Sequence, residues 1–515
     1  DDGPVVNVVA GTTQAANSLQ VDETNLATNA TTTFANLFSA TGTSSTGSDG
    51  GTIATPAYTL GVVNGASGLF DTLTGQSVVL SKTVGGVVEG RTATSGDLVF
   101  TVTITGTAVE LDQLRAVKHT NTSSNNEGAT LSADNLITIT RTDTVTDGDG
   151  DVKTSSATVN LGKAISFLDD GPSVDVTTNA NAATALGSLR LDETVGTDRK
   201  ASGETSTTTD ASDESAGVLA RATSSVSGGL AGLFGVSVNA GADGEASGSR
   251  TSSFSLSLSA EGAATNLSAT NGGAITLQSG TSANLGTIEG VDATGDVVFR
   301  IAVVNDANGN PQLQTTLYEA IRHSNNTSSF DEDLALALTG SNKLQLAYTV
   351  SMADGDGDTA SDTSYVDLAT AAGSAFVFAD DGPVMSLDSD YSAYYSNTNT
   401  NEVTGTVLNV DYGADGGAID LHSYTAIAGT HAIEKAITGG RQLDVYYDVS
   451  ASDTTSTTNA LYTLKLFNNG TYAFQLKDSP SSVLVPLDFS TVAGGPQETL
   501  TINGTNNAVT FNGLL

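Results

Sequence analysis

Residues 147–172 read Asp147-Gly148-Asp149-Gly150-Asp151-Val152-Lys153-Thr154-Ser155-Ser156-Ala157-Thr158-Val159-Asn160-Leu161-Gly162-Lys163-Ala164-Ile165-Ser166-Phe167-Leu168-Asp169-Asp170-Gly171-Pro172. Three carboxylates alternate with glycines, a run rich in Thr, Ser and apolar residues follows, and Asp-Asp-Gly-Pro stops it. The same order returns later. Asp354-Gly355-Asp356-Gly357-Asp358 leads through Val366-Asp367-Leu368 to Asp380-Asp381-Gly382-Pro383, and Asp1-Asp2-Gly3-Pro4 opens the chain. Repetition at a fixed order of landmarks is the mark of modular architecture.

The landmarks between these points also match in order. Val21-Asp22-Glu23-Thr24 corresponds to Leu191-Asp192-Glu193-Thr194, and Leu37-Phe38 to Leu233-Phe234. Glu89-Gly90 with Gly96-Asp97-Leu98-Val99-Phe100 corresponds to Glu289-Gly290 with Gly295-Asp296-Val297-Val298-Phe299. Leu114–His119 corresponds to Tyr318–His323. The expected modules are therefore 1–168, 169–379 and a divergent or truncated third, 380–515, which lacks the Asp-Gly-Asp-Gly-Asp loop. Length alone, at ~100–200 residues per domain, allows three to four domains.

Within a module the pattern is β. Leu98, Phe100, Val102 and Ile104 alternate with Val99, Thr101, Thr103 and Thr105, and Leu344, Leu346, Tyr348 and Val350 alternate with Gln345, Ala347 and Thr349. Phe254, Leu256 and Leu258 alternate with serines. Period two with Thr or Ser outward describes half-buried antiparallel strands. Tyr462–Leu466, Asn469-Gly470 and Tyr472–Leu476 read as a β-hairpin. Glu110–His119 and Leu317–His323 read as short helical turns, with His119 and His323 at their C-terminal ends, where a cation suits the helix dipole. Thr41–Gly51 and Gly203–Ser215 are loops. The expected fold class is all-β, tandem β-sandwich-like modules in an elongated array.

Composition excludes several functions. Against 57 Asp+Glu stand 19 Lys+Arg, a net charge of −38, so no basic surface exists for nucleic acid or an anionic membrane. There is no cysteine, hence no disulfide, Cys-ligated zinc or thiol chemistry. No apolar run approaches the ~18–20 residues of a membrane-spanning helix. The chain opens on Asp1 without a leader, as a processed chain or a piece of a longer one does.

The acidic loops carry the chemistry. Asp147, Asp149 and Asp151, and likewise Asp354, Asp356 and Asp358, place carboxylates to wrap one hard cation, and oxygen ligands at about 2.3–2.6 Å suit Ca²⁺. Unshared, such carboxylates repel one another. The loops are not EF-hands, because Thr158 and Tyr365 stand where the twelfth-position Glu belongs. Asp169-Asp170 has two readings: a β-turn that ends a strand, or a junction whose aspartates also bind Ca²⁺. Asp22-Glu23 and Asp192-Glu193 are weaker ligand candidates and read first as surface turns. His422 and His431 suggest no metal pair, and no nucleophile or second His accompanies His119 or His323 for catalysis. A sugar cleft usually offers aromatic platforms; the chain has no Trp, and Tyr391, Tyr394 and Tyr395 read as packing or linker.

The Asp-Gly-Asp-Gly-Asp loop, the Thr/Val strand, Asp-Asp-Gly-Pro, Leu-Asp-Glu-Thr and the Lys-His or Arg-His turn together resemble the repeat modules of giant RTX adhesins, bacterial surface proteins exported by type I secretion. The likeness covers 1–379 well; Tyr412–Gly416 and Leu461–Leu476 resemble another segment of such repeats. The family's nonapeptide repeats and secretion signal do not occur in these residues. The resemblance implies an extracellular, bacterial cell-surface fibre that extends a distal binding domain in biofilm formation. The expected function is a non-catalytic extender made rigid by Ca²⁺, with neighbouring modules as partners. The alternatives are a Ca²⁺-dependent carbohydrate or surface-ligand module in 384–515, and a self-assembling fibre or surface-layer subunit made of copies of the chain.

Chain reach gives one geometric expectation. Thr154–Leu168, read as one strand at about 3.3 Å per residue, would span ~50 Å and put each acidic loop at the pole opposite its module's exit. Asp354–Asp358 then belongs beside Asp169–Pro172, and Asp147–Asp151 beside Asp1–Pro4. Asp380–Pro383, with no such loop after it, is expected to be the more flexible junction.

Overall fold

The computed structural model describes residues 3–11, 15–40, 44–193, 217–323, 332–381, 384–387, 402–420, 423–424, 429–448, 455, 457–458, 460–477, 484–488, 499–505 and 508–513. Of the features named above, Asp1, Asp2, 41–43, Thr194, 203–215, Gly382, Pro383, Tyr391, Tyr394, Tyr395 and His422 lie outside them. The described chain is nearly all β. It folds into two compact units, one built from 1–177, 234–253 and 348–364, the other from 178–233, 254–347 and 365–515.

In the first unit, a six-stranded antiparallel sheet runs in the order Ala30–Thr33, Ala108–Gln113, Leu98–Thr105, Val88–Thr92, Ser77–Lys82 and Gly65–Phe70. Ile137–Asp147 centres a second sheet, between Val152–Asn160 on one side and Gly51–Ile53 with Ala57–Val62 on the other. A small sheet sets Ile165–Leu168 between Gly128–Thr130 and Leu19–Asp22, the last pairing being parallel. Inward side chains of all three meet in one core, where Val78, Val88, Phe100, Val102, Leu111, Ile137, Ile139 and Phe167 are fully buried. This is a sandwich held by apolar burial. Phe100 and Phe167 lie 5.1 Å apart between ring centroids. Gly90 lies under Phe100, where a Cβ would come within 2.3 Å of the ring.

The second unit repeats this plan. Ala220–Thr223, Pro311–Leu317, Val297–Asn305, Ile288–Val291, Gly273–Ser279 and Ala263–Ala269 form its six-stranded sheet. Phe299 and Phe378 pack at 5.1 Å, and Gly290 lies under Phe299 as Gly90 lies under Phe100. Leu189–Asp192 pairs parallel with Phe376–Ala379. The C-terminal part of this unit adds a five-stranded sheet, Val403–Thr406, Thr471–Leu476, Ala460–Phe467, Gly440–Tyr447 and Thr430–Ile437. The expected hairpin at 462–476 is within it, with Leu464 opposite Phe474.

Two expectations are corrected. Glu110–His119 is not helical: Ala108–Gln113 is a strand, because Val109, Leu111 and Gln113 are buried while Glu110 and Asp112 are not, a period of two. Leu317 likewise ends a strand, and Ile321 bridges to Ala269. Nor is Thr154–Leu168 one strand. Val152–Asn160 ends in a 3₁₀ turn, Gly162–Ala164, and Ile165–Leu168 joins another sheet. Gly162 permits the switch, since a Cβ there would fall 2.5 Å from the Ala133 carbonyl oxygen.

Candidate metal centre

The two acidic loops are the same hairpin turn. Asp147 N–H donates to the Asp151 carbonyl at 3.0 Å, and Asp147 Oδ1 accepts from Gly150 and Asp151 N–H at 3.1 and 2.8 Å. In the other loop Asp354 N–H donates to the Asp358 carbonyl at 3.0 Å, and Asp354 Oδ1 accepts from Gly357 and Asp358 at 3.1 and 2.8 Å. The glycines divide the work. Gly150 and Gly357 take φ of 104° and 112°, where a side chain is strained. At Gly148 and Gly355 a Cβ would fall 2.2 Å from the Asp49 carbonyl oxygen and 2.5 Å from that of Asp243.

The surroundings differ. Asp149 and Asp151 are exposed, and the partners expected for that loop, Asp1 and Asp2, lie outside the described residues. Asp354, Asp356 and Asp358 are buried within the first unit. There they meet Asp169, Asp170, Asp243, Glu23 and His119. One ligand oxygen each from Glu23, Asp169, Asp170 and Asp243 lie within 4.8 Å of one another, as do those of Asp243, Asp354 and Asp356. One cation can span each set.

Local structure explains the convergence. Leu19–Asp22 runs parallel to Ile165–Leu168, with Asp22 opposite Leu168, so the next residues, Glu23 and Asp169, leave the sheet side by side. Asp22 caps a 3₁₀ turn by accepting from Thr24 N–H at 3.0 Å, which turns Glu23 inward. Glu23 Oε1 accepts from Val117 N–H at 2.9 Å and from Gln113 Nε2 at 2.7 Å, while Oε2 is buried without a donor. Asp170 accepts from Ala242 N–H at 3.1 and 3.0 Å, which brings in the neighbouring Asp243.

His119 closes the cluster. Its N–H donates to Asp356 Oδ2 at 3.0 Å, and Nε2 lies 3.1 Å from the Phe167 carbonyl. A carbonyl only accepts, so Nε2 carries a proton and Nδ1 faces Asp169 at 3.3 Å and Asp356 at 3.8 Å. Arg115, four residues earlier in sequence, is committed to Asp71 at 2.7 and 2.9 Å.

Burial of so much negative charge is costly. Burial, then the charges of Asp356 and Asp243, push the Asp169 carboxyl up to about 8. Burial pushes Glu23 up to about 9 and Asp243 up to about 7, and raises Asp354 and Asp358 as well. Both Asp169 oxygens, Asp354 Oδ2 and Asp356 Oδ1 are buried without a hydrogen-bond donor. A hard cation would satisfy the donor-poor oxygens and the charge together.

Thus the structure brings Asp169, Asp170, Asp354 and Asp356 together through Asp243, buries Asp358 in the same loop, and sets Asp147, Asp149 and Asp151 apart as a second group. The sandwich's change of sheet at Gly162 does not separate Asp356 from Asp169. Sequence reasoning missed Asp243, and it ranked Glu23, which is 2% exposed, only as a weaker ligand candidate read first as a surface turn. A signal for Asp243 existed: Ser48-Asp49-Gly50, Ala242-Asp243-Gly244 and Ala414-Asp415-Gly416 recur, one per repeat. His119 is not at a helix end. His431 is paired with Asp448 at 2.7 Å and stacked on Tyr446.

A family model described as a domain of unknown function (DUF5801) matches residues 18–162 and 188–368. No curated protein matches the chain. Among solved structures it is similar to a Ca²⁺-stabilised adhesin that helps an Antarctic bacterium reach out and bind ice, at 11% identity over 98% of each chain and a TM-score of 0.12. It is also similar to a 1.5-MDa bacterial ice-binding adhesin, at 9% identity over 99% of this chain and 98% of that one, TM-score 0.13. A third is the protocadherin gamma B2 extracellular cadherin domains 1–5, at 9% identity over 100% and 80%, TM-score 0.14. Likeness at these scores bears on neither fold nor function. No helix among the described residues is long and apolar enough to cross a membrane.

Proposed function

The chain belongs to the family described as a domain of unknown function (DUF5801), and we propose that it is a Ca²⁺-rigidified, non-catalytic extender segment of a secreted bacterial surface adhesin, built of repeats 1–168, 169–379 and 380–515. The observation that carries this reading is the convergence of Glu23, Asp169, Asp170, Asp243, Asp354 and Asp356, of which all but Asp170 carry a buried oxygen without a donor. Glu23 comes from the first repeat and the others from the second, so one ion ties the two repeats together. The 147–151 loop supplies a more open site of the same kind.

The physics suits export. Without Ca²⁺ the carboxylates oppose closure, and a charge of −38 keeps the chain expanded. Outside the cell, millimolar Ca²⁺ matches the ~10⁻⁴–10⁻³ M affinity of extracellular modules, and binding to the folded state alone stabilises it. The absence of cysteine removes disulfide trapping during passage. His119 is 3% exposed, which suits a positioning or ligand role and leaves no access for substrate.

The test is thermal unfolding of the chain in EDTA and in millimolar Ca²⁺, with hydrodynamic radius measured alongside. Ca²⁺ is expected to raise the melting temperature and reduce the radius. Superimposable curves would sink the proposal.

A further inference from the structure

The second unit contains a cage built without an acidic loop. Glu193 follows Leu189–Asp192, which pairs parallel with Phe376–Ala379 so that Asp192 is opposite Ala379. Glu193 and Asp380 therefore leave the sheet side by side, as Glu23 and Asp169 do. Glu193 N–H donates to the Ala379 carbonyl at 3.2 Å, and its Oε1 accepts from Ile321 N–H at 2.8 Å, the counterpart of Glu23 on Val117. His323 Nε2 lies 3.1 Å from the Phe378 carbonyl, and its Nδ1 lies 3.3 Å from Asp380. Asp381 accepts from Ala414 N–H at 3.2 and 2.9 Å, as Asp170 does from Ala242. That contact brings in Asp415, and Thr270 Oγ1 donates to it.

Each part of the first centre thus recurs except the Asp-Gly-Asp-Gly-Asp loop. Ligand oxygens of Asp380, Asp381 and Asp415 lie within 4.8 Å of one another. An independent observation points to a ligand: Glu193 is 0% exposed, and its Oε2 has no hydrogen-bond donor.

We infer that Glu193, Asp380, Asp381 and Asp415 form a separate divalent-cation site in the second unit, specific for a hard, oxygen-liganded ion such as Ca²⁺ and weaker than the first because no acidic loop completes it. Asp380 and Asp381, at the junction expected from sequence to be the more flexible one, are then held by an ion of their own. The inference rests on the reading that such cages hold Ca²⁺, but on different residues.

The test is native mass spectrometry and calorimetric Ca²⁺ titration of the full chain, its Asp415→Asn and Thr270→Val variants, and Asp354→Asn. Asp415→Asn is expected to lose one bound ion and the weakest binding phase, and Thr270→Val to weaken that phase several-fold without removing an acidic group. Asp354→Asn should keep that phase and lose a tighter one. Equal ion counts and unchanged weak phases in Asp415→Asn and the parent would overturn this site alone. If neither Asp415→Asn nor Asp354→Asn alters binding, both cages fall. Circular dichroism in saturating Ca²⁺ checks that each variant is folded, and Thr270→Val supplies the answer if Asp415→Asn is not.

Discussion

The backbone N–H of His119 donates to Asp356 Oδ2 at 3.0 Å across 237 residues of chain. One residue lies in the first repeat, the other in the acidic loop of the second. The contact makes the loop a buried part of the first unit, beyond a solvated turn. Asp356→Asn keeps an oxygen for His119 N–H and removes one charge. Calorimetry is expected to show Ca²⁺ affinity at this site falling at least about tenfold, or ~1.4 kcal/mol. Asp149→Asn, in the exposed loop, should leave that site unchanged. Equal effects at the two positions would contradict the separation of the two groups.

Glu23 separates the ion's contribution from the protein's. In EDTA near pH 7 its carboxyl, raised to about 9 by burial, holds a proton. Glu23→Gln mimics that neutral form, so the melting temperature in EDTA should barely move. In millimolar Ca²⁺ the parent's carboxylate is available as a ligand and the amide is a poor substitute, so the variant should melt lower. A variant that is equally destabilised in both conditions would assign Glu23 a packing role only.

The pH dependence should change with Ca²⁺. Glu23, Asp169 and Asp243 start from ordinary values of 4.5, 3.8 and 3.8 and are raised, chiefly by burial, to about 9, 8 and 7. Between about pH 4 and 9 the folded state therefore holds more protons than the unfolded one. Stability without Ca²⁺ then falls as pH rises through that window and is greatest at its acid end. Ca²⁺ replaces those protons, so its apparent affinity strengthens with pH, and the fall should flatten or reverse. Melting curves from pH 5 to 9 in EDTA and in Ca²⁺ check this; parallel profiles would contradict it.

The sequence makes the strands and the loop ligands legible for local reasons. Period two at Leu98–Thr105 and the recurrence of Asp-Gly-Asp-Gly-Asp need no tertiary knowledge. Glu23 and Asp243 were harder to read, because what selects them is the parallel pairing of Leu19–Asp22 with Ile165–Leu168 and the bond from Ala242 to Asp170. Both are long-range contacts that no local pattern encodes. Glu110–His119 misled because local composition does not show which of its residues are buried. Burial of Val109 and Leu111 decides for the strand.

Gly90 links the core to the centre. An added Cβ would meet Phe100 Cε1 at 2.3 Å, and Phe100 is fully buried and packed on Phe167. The Phe167 carbonyl fixes the His119 ring, and Asp169 follows two residues later. Gly90→Ala must push Phe100 toward Phe167, because the strand pairs Gly90 with Phe100 and cannot retreat without breaking register. Overpacking of this kind costs about 1–3 kcal/mol. The denaturant midpoint should fall accordingly, and Ca²⁺ affinity should weaken with it, since His119 and Asp169 move with Phe167. Gly85→Ala is the control: the nearest atom, Thr83 Oγ1, is 3.8 Å from the added Cβ, and both measurements should stay at parental values. A Gly90→Ala protein that loses stability while binding Ca²⁺ as the parent does would show that the core and the carboxylate cluster are not coupled through Phe167.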